Sequence, residues 1–140
     1  MERSRFEDYI ARFNAEDATT FDDYLVDDMQ MLNGGLRFQG IDGMKHHYQS
    51  LIWPHFKEHL TPKRFVSDDQ HVAVEMWTNF CARDDADTLF GSVVKGEVFE
   101  YRGIIMYDLR GEKFATITVA YNSFRNTKPC GTTRDMGLPH

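Results

Sequence analysis

Several classes of function are excluded by what this sequence does not contain. Its two cysteines, Cys81 and Cys130, lie far apart and make neither a metal spacing nor a disulfide framework, so both are read as reduced thiols. No apolar run approaches the roughly 20 residues of a membrane helix, and the opening Met1-Glu-Arg-Ser-Arg-Phe-Glu-Asp lacks the apolar stretch of a signal peptide. A cytoplasmic protein without membrane contact is expected. Basic stripes are missing too: 16 Lys and Arg are dispersed among 22 Asp and Glu, and the formal net charge of -6 argues against nucleic acid as a partner. There is no Gly-rich phosphate loop, no Gly-x-Ser-x-Gly elbow and no Cys/His pair at recognisable spacing, which argues against nucleotide, phosphoryl and acyl-enzyme chemistry. No two histidines form a metal pair with a nearby carboxylate, so neither metal nor cofactor is expected.

What the sequence does have is rings. Eleven Phe and six Tyr raise the aromatic share to 14% of 140 residues, enough either to fill the core of one domain or to wall an apolar cavity. Phe6, Tyr9, Ile10 and Phe13 recur at helical spacing from Arg3 to Asp17, and Asp17 caps a short second helix through Leu25. Residues 29–33 and 36–39 read as short extended pieces around Gly34-Gly35. A longer helix is expected from Ile41 to about Leu60, with the stripe Met44, His47, Tyr48, Leu51, Ile52 and a kink at Pro54. Strands follow at 63–67, 71–83, 93–109 and 113–124, joined by compact turns at Asp68-Asp69-Gln70 and Arg110-Gly111-Glu112. Helices before strands is an α+β layout, and strands this long must coil or carry bulges, bending an antiparallel sheet into a half-cone. Residues 125–140, rich in Gly and Pro, are expected to be a flexible tail beyond a single domain of residues 1–124.

The order of Phe-Asn-Ala-Glu-Asp (13–17), Leu-Arg-Phe-Gln-Gly (36–40), Val-Ala-Val-Glu (72–75) and Gly-Ile-Ile-Met-Tyr-Asp-Leu-Arg-Gly-Glu-Lys-Phe (103–114) resembles the SnoaL-like branch of the nuclear-transport-factor-2-like superfamily, over about residues 3–124. The resemblance implies a cone-shaped α+β barrel that often dimerises through its outer sheet face. It also implies a site of the kind found in polyketide cyclases, ketosteroid isomerase, scytalone dehydratase and limonene epoxide hydrolase, and in small fungal enzymes that rearrange polyketide, terpenoid and alkaloid intermediates. Some relatives have no catalysis. Cyclases and ketosteroid isomerase place a carboxylate on the strand that reads 103–109 here, where Ile105 takes the inward position; Asp108 has the opposite parity.

Strand alternation makes Tyr101, Ile105, Tyr107, Ile117, Val119 and Tyr121 cone-lining residues, joined by Phe80 and by Met44, Tyr48 and Leu51 from the helix. Four residues are candidates for chemistry. Arg37 either rims the mouth and clamps a developing oxyanion or is a surface arginine. His47 is either a proton shuttle or a core histidine bonded to a carbonyl. Tyr107 and Tyr121 either orient and protonate a substrate or simply pack. Glu75 has outward parity, and a missing base could come from Glu97 or Glu100 if a bulge in their strand turns one inward. The expectation is a cofactor-independent acid/base isomerase, rearrangement catalyst or cyclase acting on a hydrophobic oxygenated small molecule. Its rivals are a dehydratase or epoxide hydrolase in the same pocket, and a non-catalytic binding or interaction domain. A homodimer through Trp77, Thr116, Thr118 and Ala120 on the outer face is expected with it.

Overall fold

A computed structural model describes residues 1–137 of the chain. Helix α1 (Arg3–Asn14) buries the Phe6, Tyr9, Ile10, Phe13 stripe, and α2 (Thr19–Tyr24) buries Thr20, Phe21 and Tyr24. Strands β1 (Leu25–Asn33) and β2 (Leu36–Gln39) form a hairpin whose turn uses Gly34 at φ +57°, a conformation that costs glycine little. Helix α3 (Gly40–His46) then runs into a π-helix, His47–Ile52, with the Trp53 amide donating to the Tyr48 carbonyl at 2.8 Å.

The expected helix to Leu60 is corrected here. Pro54 has no N–H to continue the ladder, and the chain turns there into strand β3 (Phe56–Ser67). Phe56 and Leu60 are spaced by four, which puts them on one face in a helix and equally in a strand, so the apolar pattern alone did not separate the two. The expected strand 93–109 is also two pieces: β5 (Ala86–Thr88) and β6 (Gly91–Val93) make a small hairpin, and a turn at Gly96, φ +87°, leads into β7 (Val98–Arg110).

The main sheet has the order β2-β1-β8-β7-β4-β3, where β4 is His71–Ala82 and β8 is Lys113–Thr127. All neighbours are antiparallel except β1 and β8, which pair in parallel with Met31 opposite Ile117. The sheet is strongly curved but open, with β2 and β3 as its edges. The domain boundary expected at 124 falls inside β8, and a further strand β9 (Thr133–Asp135) pairs with Arg125–Thr127, so part of the expected tail is sheet; residues 138–140 lie outside the described residues.

A bulge sharpens the curvature. Gly103 pairs with Tyr121 and Arg102 with Ser123, leaving Asn122 unpaired, so the inward set on β8 switches from Ile117, Val119, Tyr121 to Phe124, Asn126. Gly103 permits this contact because a Cβ there would overlap the Tyr121 Cα and the Ala120 carbonyl. Two ring clusters occupy the concave side. One, under α1, joins Phe6, Tyr9, Tyr24, Tyr107 and Phe114; the other joins Phe56, Phe80, Phe90, Phe99 and Tyr101.

Candidate active site

Between these clusters lies a cavity of about 370 Å³. Both clusters contribute walls: Tyr9 and Phe13 from α1, Tyr107 and Ile105 from β7, and Phe80 from β4. Leu36, at the β1–β2 hairpin, and Leu89, at the tip of the β5–β6 hairpin, line it while staying partly in solvent, which places its mouth between the two hairpins.

Among the described residues, Glu58 is the one carboxylate that lines the cavity. Alternation on β3 turns Phe56, Glu58 and Leu60 inward and Lys57, His59 and Thr61 outward. That strand is an edge, and its backbone is fixed beside Glu58 by Asn14 at the end of α1. The Asn14 Nδ2 donates to the Leu60 carbonyl at 2.9 Å, and the Leu60 amide donates to Asn14 Oδ1 at 2.8 Å. Glu58 is 4% exposed, and its Oε2 has no hydrogen-bond partner among the described residues. Burial pushes its carboxyl up to about 8, so it stands mostly protonated at neutral pH. A buried, unpartnered carboxyl carries a desolvation penalty of about 1–3 kcal/mol, which folding alone gives no reason to accept.

Phenols surround this group. Burial, and then the charge of Glu58, raises Tyr9; the same two causes, with Tyr9 and Tyr107 following, hold Tyr48 well above the ordinary tyrosine value. Tyr107 is raised by burial and then by Tyr9, and Tyr101 by burial, Tyr121 and Glu58. All stay neutral hydrogen-bond donors through the physiological range. Burial, reinforced by His46, pushes His47 down to about 4, so its imidazole stays neutral and resists protonation, with one ring nitrogen free to donate and the other to accept a hydrogen bond. Its ring stacks on Phe38 at 4.8 Å and meets Tyr48 edge-on at 4.8 Å.

Of the residues singled out from sequence, His47, Tyr107 and Tyr121 line this cavity, as do Met44, Tyr48, Phe80, Tyr101, Ile105, Ile117 and Val119. Arg37 does not. On β2 Leu36 faces the cavity, so Arg37, next in the alternation, is exposed on the other side, and the expected oxyanion clamp at the mouth is absent. Leu51 is half-buried and also outside the lining, because the π-helix shifts the inward stripe to Met44, His47, Tyr48 and Ile52.

The other carboxylates are placed elsewhere. Glu75 pairs with Arg64 at 2.9 Å and Glu100 with Arg102 at 3.0 Å on the outer face, and Asp108 is exposed. Glu97 is buried outside the cavity. Its burial raises it, but Lys128 at 2.9 Å, the Val94 amide and Asn126 outweigh this and hold it low. Glu58 was missed because it fell in the segment read as helix; the alternation Phe56-Glu58-Leu60 after Pro54 was the available signal.

Among curated protein sequences none matches the chain. Solved structures share the fold. A proposed polyketide cyclase from Xanthomonas campestris pv. campestris is 19% identical with a TM-score of 0.69, over 82% of this chain and 85% of that one. The Delta 5-3-ketosteroid isomerase from Mycobacterium sp. is 12% identical with a TM-score of 0.69, over 89% and 96%. A computationally designed 17-OHP binder is 12% identical with a TM-score of 0.68, over 86% and 95%. The profile of the SnoaL-like domain matches residues 6–117, from within α1 to the first third of β8. The chain therefore belongs to the SnoaL-like family.

Proposed function

We propose that this protein is a cofactor-independent isomerase or cyclase of natural-product biosynthesis, acting on a hydrophobic oxygenated small molecule by proton transfer from Glu58. The observation that carries the reading is a protonated, unpartnered carboxyl aimed into an apolar cavity. Glu58 donates its proton to an oxygen or carbon of the substrate, and the Tyr48 and Tyr107 hydroxyls donate hydrogen bonds where charge develops. The Glu58 carboxylate left by that step, a stronger base than His47, takes back the proton released later in the rearrangement, and neutral His47 hydrogen-bonds the substrate. The cavity walls hold the substrate in a reactive conformer and keep water away. The family's cyclase and isomerase relatives support this class of reaction. The protein acts as a cytoplasmic homodimer paired through the outer face of its sheet.

Glu58→Gln tests this reading. Turnover is expected to fall about 100- to 10,000-fold, the range for losing a general acid. In the unaltered protein kcat/KM is expected to decline above about pH 8, as Glu58 loses its proton. A variant that keeps normal turnover would exclude Glu58 as the proton donor. Proton transfer from the same carboxyl also suits a dehydratase, so product analysis by mass, unchanged for isomerisation and lighter by water for dehydration, separates the two.

A further inference from the structure

Among the described residues nothing in the cavity pairs with the Glu58 carboxyl. Its Oε2 is buried without a donor, and among the described residues no lysine or arginine lines the space. Donors for a ligand oxygen, by contrast, are plentiful: Thr78 and the phenols of Tyr9, Tyr48, Tyr101 and Tyr107 all line the cavity. The site is thus well supplied with hydroxyl donors, while the one carboxyl among its described lining residues has no partner. Rings of Tyr9, Tyr48, Phe80, Tyr101 and Tyr107 stand among the lining, and an aromatic ring attracts a cation to its face through its quadrupole. The molecule as a whole, at -6, favours approach of a cation over an anion.

We propose that the ligand of this cavity carries a basic nitrogen, which takes the Glu58 proton and is held as an ammonium between the carboxylate and the tyrosine rings. For a ligand that enters as the free amine, the O–H bond of the carboxyl breaks and an N–H bond forms with no other reactant; one that arrives as the ammonium reaches the same pair when the carboxyl proton passes to water. The new N–H donates to the buried carboxylate oxygen, and the rings face the cation that results. This deepens the acid/base reading and rests on the same inward Glu58, but it is read by binding and needs no turnover.

Two bicyclic probes that differ only in NH for O, tetrahydroisoquinoline and isochroman, are titrated into the full chain by calorimetry at neutral pH and high salt. High salt suppresses binding of the amine to surface carboxylates and leaves a buried pair largely intact. The amine is expected to bind roughly 10- to 100-fold more tightly than the ether, the span that corresponds to a hydrogen bond to a charged group. Glu58→Gln is expected to erase the difference while retaining the fold by thermal melt. The comparison on the unaltered chain stands without the variant if the variant does not fold. Equal affinities, no binding of either probe, or an amine preference that survives in Glu58→Gln overturns the proposal. Lost turnover in Glu58→Gln without any amine preference would leave the acid/base reading intact and remove this one; an amine preference with no role for Glu58 in turnover would do the reverse.

Discussion

At the scale of single residues, Glu58 makes stability depend on pH. A glutamate at its ordinary value of 4.5 is raised to about 8 in the fold, so between these limits the native state holds more of the proton than the unfolded chain does. Stability from this group is therefore full below about 4.5 and is lost as pH rises through about 8. Glu58→Gln removes the dependence. The variant is expected to gain on the unaltered protein by a few kcal/mol between pH 5 and pH 9, measured by urea unfolding at each pH. A constant offset at all pH values would mean that Glu58 is not buried in its neutral form. His47 acts in the other direction, being held at about 4 against an ordinary 6.5, and it destabilises the fold as pH falls through that interval. Because both proteins in the comparison keep His47, its contribution cancels.

Elements fail or succeed by their local chemistry, and two strands show it. On β7, Gly103 sits against the Asn122 bulge with no room for a Cβ. Gly103→Ala is expected to lose about 1–3 kcal/mol, the usual cost of overpacking, by chemical denaturation. On β2, Arg37 is exposed and away from the cavity, so Arg37→Ala is expected to leave turnover within about twofold and stability within about 0.5 kcal/mol. The α+β order, the long strands with both tight turns, and the inward parity of Tyr101, Ile105, Tyr107, Ile117 and Val119 were legible from period and turn chemistry. The register of Glu58 was not, because a spacing of four satisfies helix and strand alike and only Pro54 marked the change. Leu51 was misplaced by assuming the α period through a segment that winds as a π-helix. Arg37 was misplaced by reading position along the chain as position at the mouth, when parity with Leu36 decides it.

At the scale of the whole molecule, the convex face of the sheet carries Trp77, Ile104 and Met106, each about two-fifths exposed, with Lys63 and Arg102 stacked over the Trp77 ring at 4.4 and 4.7 Å. Such a face supports the proposed dimer. Light scattering at micromolar concentration is expected to give twice the chain mass for the unaltered protein and a single chain mass for Ile104→Lys, which sets a charge at the centre of this patch; a monomer in both would remove the proposal. The position of β8 in the sheet bears on how the chain comes to be built. It pairs with β1 on one side and β7 on the other, and Phe114 on it packs against the Phe6 and Tyr9 rings of α1. A ribosome makes α1, α2 and β1 first, at about 5–20 residues per second, yet the strand they must join begins 80 residues after the end of β1, at Lys113. For several seconds the growing chain holds a ring-rich helix and an unpaired hairpin with nothing to cover them. Its solubility in that interval rests on the acids that flank them, Glu7, Asp8, Asp22, Asp23, Asp27 and Asp28, which repel other nascent chains before any of the final contacts exist.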